Sequence, residues 1–177
     1  VIEEDEEKVI QNLLRLRDIM VSEVMTPRRV MKTVDSRLSI KDVLNETPIM
    51  TFGRMPLIGD SIDDIRGFVR RSEILKKAAD DQYSTTMESI SREILFCNHD
   101  DSVDRALEVL LENKVQILVV KDDFGHTVGL ITMEDVIETL LGVEIVDESD
   151  QDAIDDGNHH EDMRELARQQ YEDSDPE

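Results

Sequence analysis

Gly129-Leu130-Ile131-Thr132-Met133-Glu134-Asp135-Val136 has a counterpart 62 residues earlier, Gly67-Phe68-Val69-Arg70-Arg71-Ser72-Glu73-Ile74. In both, a glycine opens a short apolar run, a polar residue closes it, and an acid follows three positions on. A short apolar run that gives way to helical spacing reads as a strand passing into a helix. Working outward, Ser39-Ile40 matches Ser102-Val103 at an offset of 63. The near-equal offsets define an internal repeat, and a repeat decides the fold before any single element does.

Each unit of the repeat reads strand–helix–strand–strand–helix. In the first, Val30 and Val34 suggest a short strand, and Ser39 is placed to cap a helix over 40–46 that stops before Pro48. Met55-Pro56-Leu57-Ile58 and Ile65 to Val69 read as strands around the turn at Gly59-Asp60, and Ser72 to Ala79 reads as a helix. In the second, Ile94-Leu95-Phe96 is a strand and Ser102 caps a helix to about Asn113. Gln116 to Val120 and Thr127 to Ile131 are strands joined by the hairpin chemistry of Asp122-Asp123-Phe124-Gly125. Met133 to Leu141 is a helix with Gly142 at a C-cap position. Neither unit has enough apolar surface to stand alone, so the expected fold is α/β, with two units sharing a core. Ahead of them, residues 3–20 place Val9, Ile10, Leu13, Leu14, Leu16 and Met20 at helical spacing, with acids in the first turn.

The chain has 177 residues, 42 Asp+Glu and 20 Lys+Arg, for a net charge of −22. That balance argues against binding nucleic acid, whose phosphates demand Lys and Arg, and against an anionic membrane surface. The excess sits at the ends: residues 144–177 carry 14 acids and 2 bases. The expected organisation is a linker helix at 1–20, units at 21–80 and 81–143, and a disordered acidic tail at 144–177. One cysteine, Cys97, excludes an intramolecular disulfide and reads as a buried small hydrophobe. No apolar run is long enough to span a membrane. The start at Val1 within an acidic stretch suits a segment of a larger protein, so a membrane domain can exist elsewhere in the parent.

Two readings fit Thr132 and Asp135. The hydroxyl can cap the following helix while the carboxylate completes a capping box. Alternatively, Asp135 accepts hydrogen bonds from a ribose diol while Thr132 and the helix N-terminus face a phosphate. No catalytic set accompanies them: His99, His126, His159 and His160 show no metal-ligand spacing, and there is no P-loop or dinucleotide fingerprint. Asp60, Asp63, Asp64 and the Asp122-Asp123 pair offer carboxylate oxygens to a cation but match no EF-hand spacing.

Val24-Met25-Thr26-Pro27-Arg28, Phe52-Gly53-Arg54-Met55-Pro56-Leu57 and the run from Asp122 to Glu138 together resemble the paired CBS domains (Bateman module) of CNNM/CorC-type transporters, membrane proteins of magnesium and cobalt efflux. The resemblance spans residues 3–150 and implies a tandem CBS pair with a pseudo-twofold. It implies regulatory binding of an adenine nucleotide, ATP or AMP, with or without Mg²⁺, between the units. Carried over by motif, Thr26, Thr132 and Asp135 contact ribose and phosphates. Phe52 lies near the adenine, Leu130 offers apolar or backbone contact to the base, and Arg54 can pair with phosphate. For Phe52 a core role and for Arg54 a surface ion pair fit equally.

Arg70 and Glu73 replace the Thr and Asp in the first unit, so one competent site is expected rather than two. The expected protein is a non-enzymatic cytosolic module on the inner side of the membrane. It would control an attached membrane domain through the leading helix and pair as a homodimer through helix faces such as Val103–Leu111 and Val136–Leu141. Arg54, Arg28 or Mg²⁺ would offset the acidic charge near the nucleotide. The alternative is a ligand-free dimerisation or interaction module whose acidic tail takes a basic partner.

Overall fold

The computed structural model describes residues 3–46 and 52–148. Helices α1 (Glu4–Arg15) and α2 (Val21–Val24) lead into β1 (Thr26–Pro27) and a 3-10 turn at Arg28–Val30. The first unit follows as β2 (Val34–Asp35), α3 (Ile40–Glu46), β3 (Arg54–Ile58), β4 (Ile65–Arg70) and α4 (Arg71–Ala79). The second is β5 (Leu95–Asn98), α5 (Val103–Glu112), β6 (Ile117–Lys121), β7 (Thr127–Thr132) and α6 (Met133–Glu148). The repeat is thus realised element for element.

Each unit builds a sheet in which the first strand runs parallel to the second and the second antiparallel to the third. Parallel neighbours need a crossover, and α3 and α5 supply it. The sheet orders are β2-β3-β4 and β1-β7-β6-β5. Even the irregularities repeat, with register shifts at Leu57/Ile58 and Val120/Lys121.

The units exchange their leading segments. β1, which precedes the first unit, pairs antiparallel with β7 of the second, Thr26 opposite Leu130 and Pro27 opposite Gly129. Reciprocally, the segment before the second unit bridges the first: Phe68 and Arg92 exchange two backbone hydrogen bonds of 2.9 Å. Two glycines permit these approaches. A Cβ on Gly129 would lie 2.5 Å from the Thr26 carbonyl oxygen, and one on Gly67 would lie 2.5 Å from that of Arg92. Gly67 also has φ +145°, a backbone that L side chains avoid.

The cores carry the same exchange. Leu16 and Val21 are buried with Val103, Ala106, Leu110, Leu118, Val120, Ile131 and Val136 of the second unit. Met87 and Ile90 are buried with Ile40, Val43, Met55, Leu57, Val69 and Ile74 of the first. Phe68, Ile117, Val119 and Leu130 form a third layer with Met31 and Ile94 between the two sheets. Strand alternation explains the division: Leu118 and Val120 face the helices, while Ile117 and Val119 face the other unit.

Two helices depart from the sequence expectation. The helix expected over 3–20 stops at Arg15 and resumes as α2. The backbone between them is drawn onto α5, whose Val103 and Asp104 N–H groups donate to the Ile19 and Leu16 carbonyls at 2.8 and 3.2 Å. Orphan donors at a helix start need such partners, and Leu16 is fully buried as a result. At the other end, α6 does not stop at Gly142 but runs to Glu148. Gly142 lacks the positive φ of a glycine C-cap, and no proline follows to stop the helix. The acidic tail beyond Glu148 lies outside the described residues.

Candidate nucleotide site

The β7–α6 junction holds the best-assembled part of the site. Thr132 closes β7 and α6 begins at the next residue. The Thr132 N–H donates to Asp135 Oδ2 at 2.9 Å, and the Asp135 N–H donates to Thr132 Oγ1 at 3.2 Å. This is the reciprocal capping box read from the sequence. The Asp135 backbone carbonyl accepts the Thr139 hydroxyl at 2.7 Å, which anchors the first turn further. Asp135 is itself buried, at 8% exposure, so its carboxylate is set in place before any ligand arrives.

Alternation along β7 aims the neighbours. Ile131 packs toward α5 and α6, whereas Leu130 lies in the layer between the sheets. Thr132 shares the Leu130 face, and Thr26 lies opposite Leu130 in register. Thr26, Leu130 and Thr132 therefore look toward the first unit, with Asp135 one helical turn away. Across the layer, Met55 and Leu57 turn into the core of the first unit. Arg54, two residues before Pro56 on β3, faces the opposite way, toward the second unit. Phe52 precedes it and is 45% exposed, so it is not a core aromatic. The Arg71 N–H donates to the Gly53 carbonyl at 2.9 Å and fixes this entry to β3. Four candidates thus form a contiguous group on β1, β7 and α6, while Phe52 and Arg54 come from the facing sheet.

The equivalent position in the first unit is built differently. Arg70 occupies the place of Thr132 and Glu73 that of Asp135. Arg92, bridged to Phe68 as Thr26 is paired to Leu130, completes the set. Glu73 Oε2 lies 3.8 Å from Arg70 and 3.5 Å from Arg92. These contacts exceed hydrogen-bond length, and Arg70 Nε and Glu73 Oε2 are buried without a hydrogen-bond partner. A part-exposed ion cluster therefore stands where the second unit has two hydroxyls and one carboxylate. Arg92 was not legible as part of this group, because its offset from Thr26 is 66 residues and only the strand pairing aligns them.

Arg28, expected among the cations offsetting charge near the nucleotide, is engaged by the first unit's turn. Its guanidinium donates to Asp63 at 2.6 Å and to the Thr127 carbonyl at 3.0 Å. The Thr127 N–H also donates to Asp63, at 2.9 Å. Asp63 thus clasps the β3–β4 turn of the first unit to β7 of the second. The Thr127 N–H, with Arg28 beside it, holds the Asp63 carboxyl below its ordinary range. The other acids of that turn are likewise matched, Asp64 to Arg66 at 2.8 Å and Asp60 to Arg37 at 3.4 Å, which speaks for ion pairing rather than cation binding. Burial, with the nearby Asp101 charge, pushes the Cys97 thiol up to about 12, as befits a core residue rather than a nucleophile.

Comparison with known proteins agrees with this fold. The CBS domain family model matches residues 87–142, the second unit. The CBS domain of a bacterial CNNM/CorC family Mg²⁺ transporter in complex with ATP superposes with a TM-score of 0.71 at 31% identity, covering 78% of this chain and 98% of that one. The chain belongs to the CNNM/CorC family. The magnesium and cobalt efflux protein CorC of Escherichia coli K12 is 28% identical over 152 residues, covering 86% of this chain and 52% of CorC. This CNNM/CorC CBS module therefore spans about half the length of that relative. A CBS-domain pair with bound AMP from Klebsiella pneumoniae also superposes, with a TM-score of 0.63 at 26% identity over 70% of this chain and 99% of that one. Among the described residues no helix is long and apolar enough to cross a membrane.

Proposed function

We propose that this module binds one adenine nucleotide per chain between its two units and uses it to regulate an attached membrane ion transporter. The observation that carries the reading is the Thr132–Asp135 pair, fixed at a helix N-terminus on the face that Thr26 and Leu130 share. A buried carboxylate suits a ribose diol, and the hydroxyls with the helix start suit phosphate. Arg54 supplies a cation from the facing sheet, and Phe52 a ring for the base. The ATP and AMP complexes of related structures support the ligand class. With a net charge of −22, Mg²⁺ would favour binding by reducing the nucleotide's negative charge.

Regulation follows if the ligand binds one arrangement of the units better than another. The exchanged segments offer the route: β1 borders the site, and α1 and α2 precede it directly. Counted with their leading segments, the units are taken as residues 21–80 and 81–143, on the cytosolic side of the membrane. Exposed Leu111, Ile137 and Leu141 on α5 and α6 supply apolar surface for a second copy. No step of nucleotide hydrolysis is part of the reading.

Calorimetry with ATP, with and without Mg²⁺, tests it. Asp135→Ala should abolish measurable binding and cost about 1 kcal/mol of stability through the lost cap. Asp135→Asn, which can still accept the Thr132 N–H, should keep the stability and still weaken binding. Unchanged affinity in both variants overturns the site.

A further inference from the structure

The far end of the second unit gathers three metal-ligating side chains that the nucleotide reading does not use. His99 and Asp100 follow β5, and Asp123 sits in the β6–β7 hairpin. One ligand atom from each lies within 4.8 Å of the other two. His99 Nε2 is 3.4 Å from Asp100 Oδ2. Thr132 is at the opposite end of β7, roughly 16 Å away at about 3.3 Å per residue of strand.

Sequence spacing hides this group, because Asp123 is 24 residues from His99 and only the parallel β5–β6 pairing unites them. The frame beneath it is fixed. The His99 N–H donates to the Lys121 carbonyl at 2.9 Å, and its carbonyl accepts the Ser22 N–H at 3.2 Å. Asn98 braces both carboxylate-bearing residues. Its side-chain Nδ2 donates to Asp123 Oδ1 at 3.0 Å, and its side-chain Oδ1 accepts the Asp100 N–H at 2.9 Å. On the hairpin, Asp122 accepts the N–H groups of Phe124 and His126 at 3.0 and 2.9 Å, which holds the backbone on either side of Asp123's turn.

We propose that His99, Asp100 and Asp123 bind a divalent cation of the borderline class, Zn²⁺ in preference to Mg²⁺. One imidazole and two carboxylates form a mixed nitrogen–oxygen set, which suits Zn²⁺, whereas Mg²⁺ favours oxygen ligands alone. Three protein ligands leave the remaining position to water. Ligands about 2.1 Å from an ion require the three atoms to close up, and rotation of the exposed Asp100 and Asp123 side chains provides that movement. Asn98 acts as a positioning residue that orients Asp123.

Titration calorimetry with ZnCl₂ on the full chain tests the site. His159-His160 in the tail is a competing ligand pair, so the titration is repeated on a His159→Ala/His160→Ala variant. One Zn²⁺ should still bind that variant, and excess Mg²⁺ should not displace it. Adding His99→Ala or the near-isosteric Asp123→Asn should weaken that binding at least about tenfold, and Asn98→Ala about 10- to 100-fold. Melting temperatures of the metal-free proteins show that each variant folds; should His99→Ala fail, the surface change Asp123→Asn decides. Zinc binding that disappears with the tail histidines, or that survives both His99→Ala and Asp123→Asn, overturns the proposal.

Discussion

The two units of this module share strand order, crossover helices, bulge positions and the glycine beneath the incoming strand, yet they end their last strands with opposite chemistry. The second presents Thr26, Thr132 and Asp135, two hydroxyls and a fixed carboxylate. The first presents Arg92, Arg70 and Glu73, joined through Glu73 Oε2 at 3.5 and 3.8 Å. The backbone supplies the place, and on the proposed reading three side chains decide whether it takes a ribose or holds its own ion pairs.

Among exchanges between the units, the largest expected effect comes from writing the first unit's residue into the second. Thr132→Arg removes the cap acceptor and sets a bulky cation beside Asp135. ATP affinity should fall on the order of a hundredfold, since each 1.4 kcal/mol is a factor of ten and two polar contacts are lost. Calorimetry reads this directly, and retained affinity would show that the junction is not the site.

The exchanged strands are tested next. Gly129→Ala forces a Cβ to 2.5 Å from the Thr26 carbonyl and should cost about 1–3 kcal/mol. Gly67→Ala meets the Arg92 carbonyl at the same distance and also strains a φ of +145°, so it should cost more. Only Gly129→Ala displaces β1, and only it should also weaken the nucleotide. Urea denaturation ranks the two, and the reverse order would break the symmetry argument.

The smallest of these effects concerns the clasp. Asp63 has its folded pKa lowered below the ordinary 3.8 by the Thr127 N–H and Arg28. The folded value lies below the unfolded one, so its contribution is complete above about 3.8 and is lost as pH falls through the depressed folded value. Asp63→Asn should therefore narrow the stability difference between about pH 6 and about pH 3. It should not remove it, because the Asp35 carboxyl, hydrogen-bonded by Arg37, is lowered to about 2 and remains. An unchanged difference would mean that the clasp contributes nothing.

The repeat was legible because its offsets are nearly constant and its strands and helices follow their own periods. The capping pair was legible because it is local, three residues apart. Arg92, the Asp63 clasp and the His99–Asp123 group were not, because each joins residues that only strand pairing or turn packing brings together. The break after Arg15 escaped for a related reason: the periodicity of 3–20 is helical throughout, but donors at the start of α5 claim the carbonyls of Leu16 and Ile19. That Arg28, expected among the cations offsetting the charge near the nucleotide, pairs with Asp63 was not legible either, because 35 residues separate the two.

The central claim is one nucleotide site per chain, built by the second unit. Its most direct test is the stoichiometry of ATP in a calorimetric titration of the wild type, Asp135→Ala and Glu73→Ala. The account predicts one ATP per chain in the wild type, none in Asp135→Ala, and one with affinity within about twofold in Glu73→Ala. Two per chain, or binding lost with Glu73 and kept without Asp135, would contradict it.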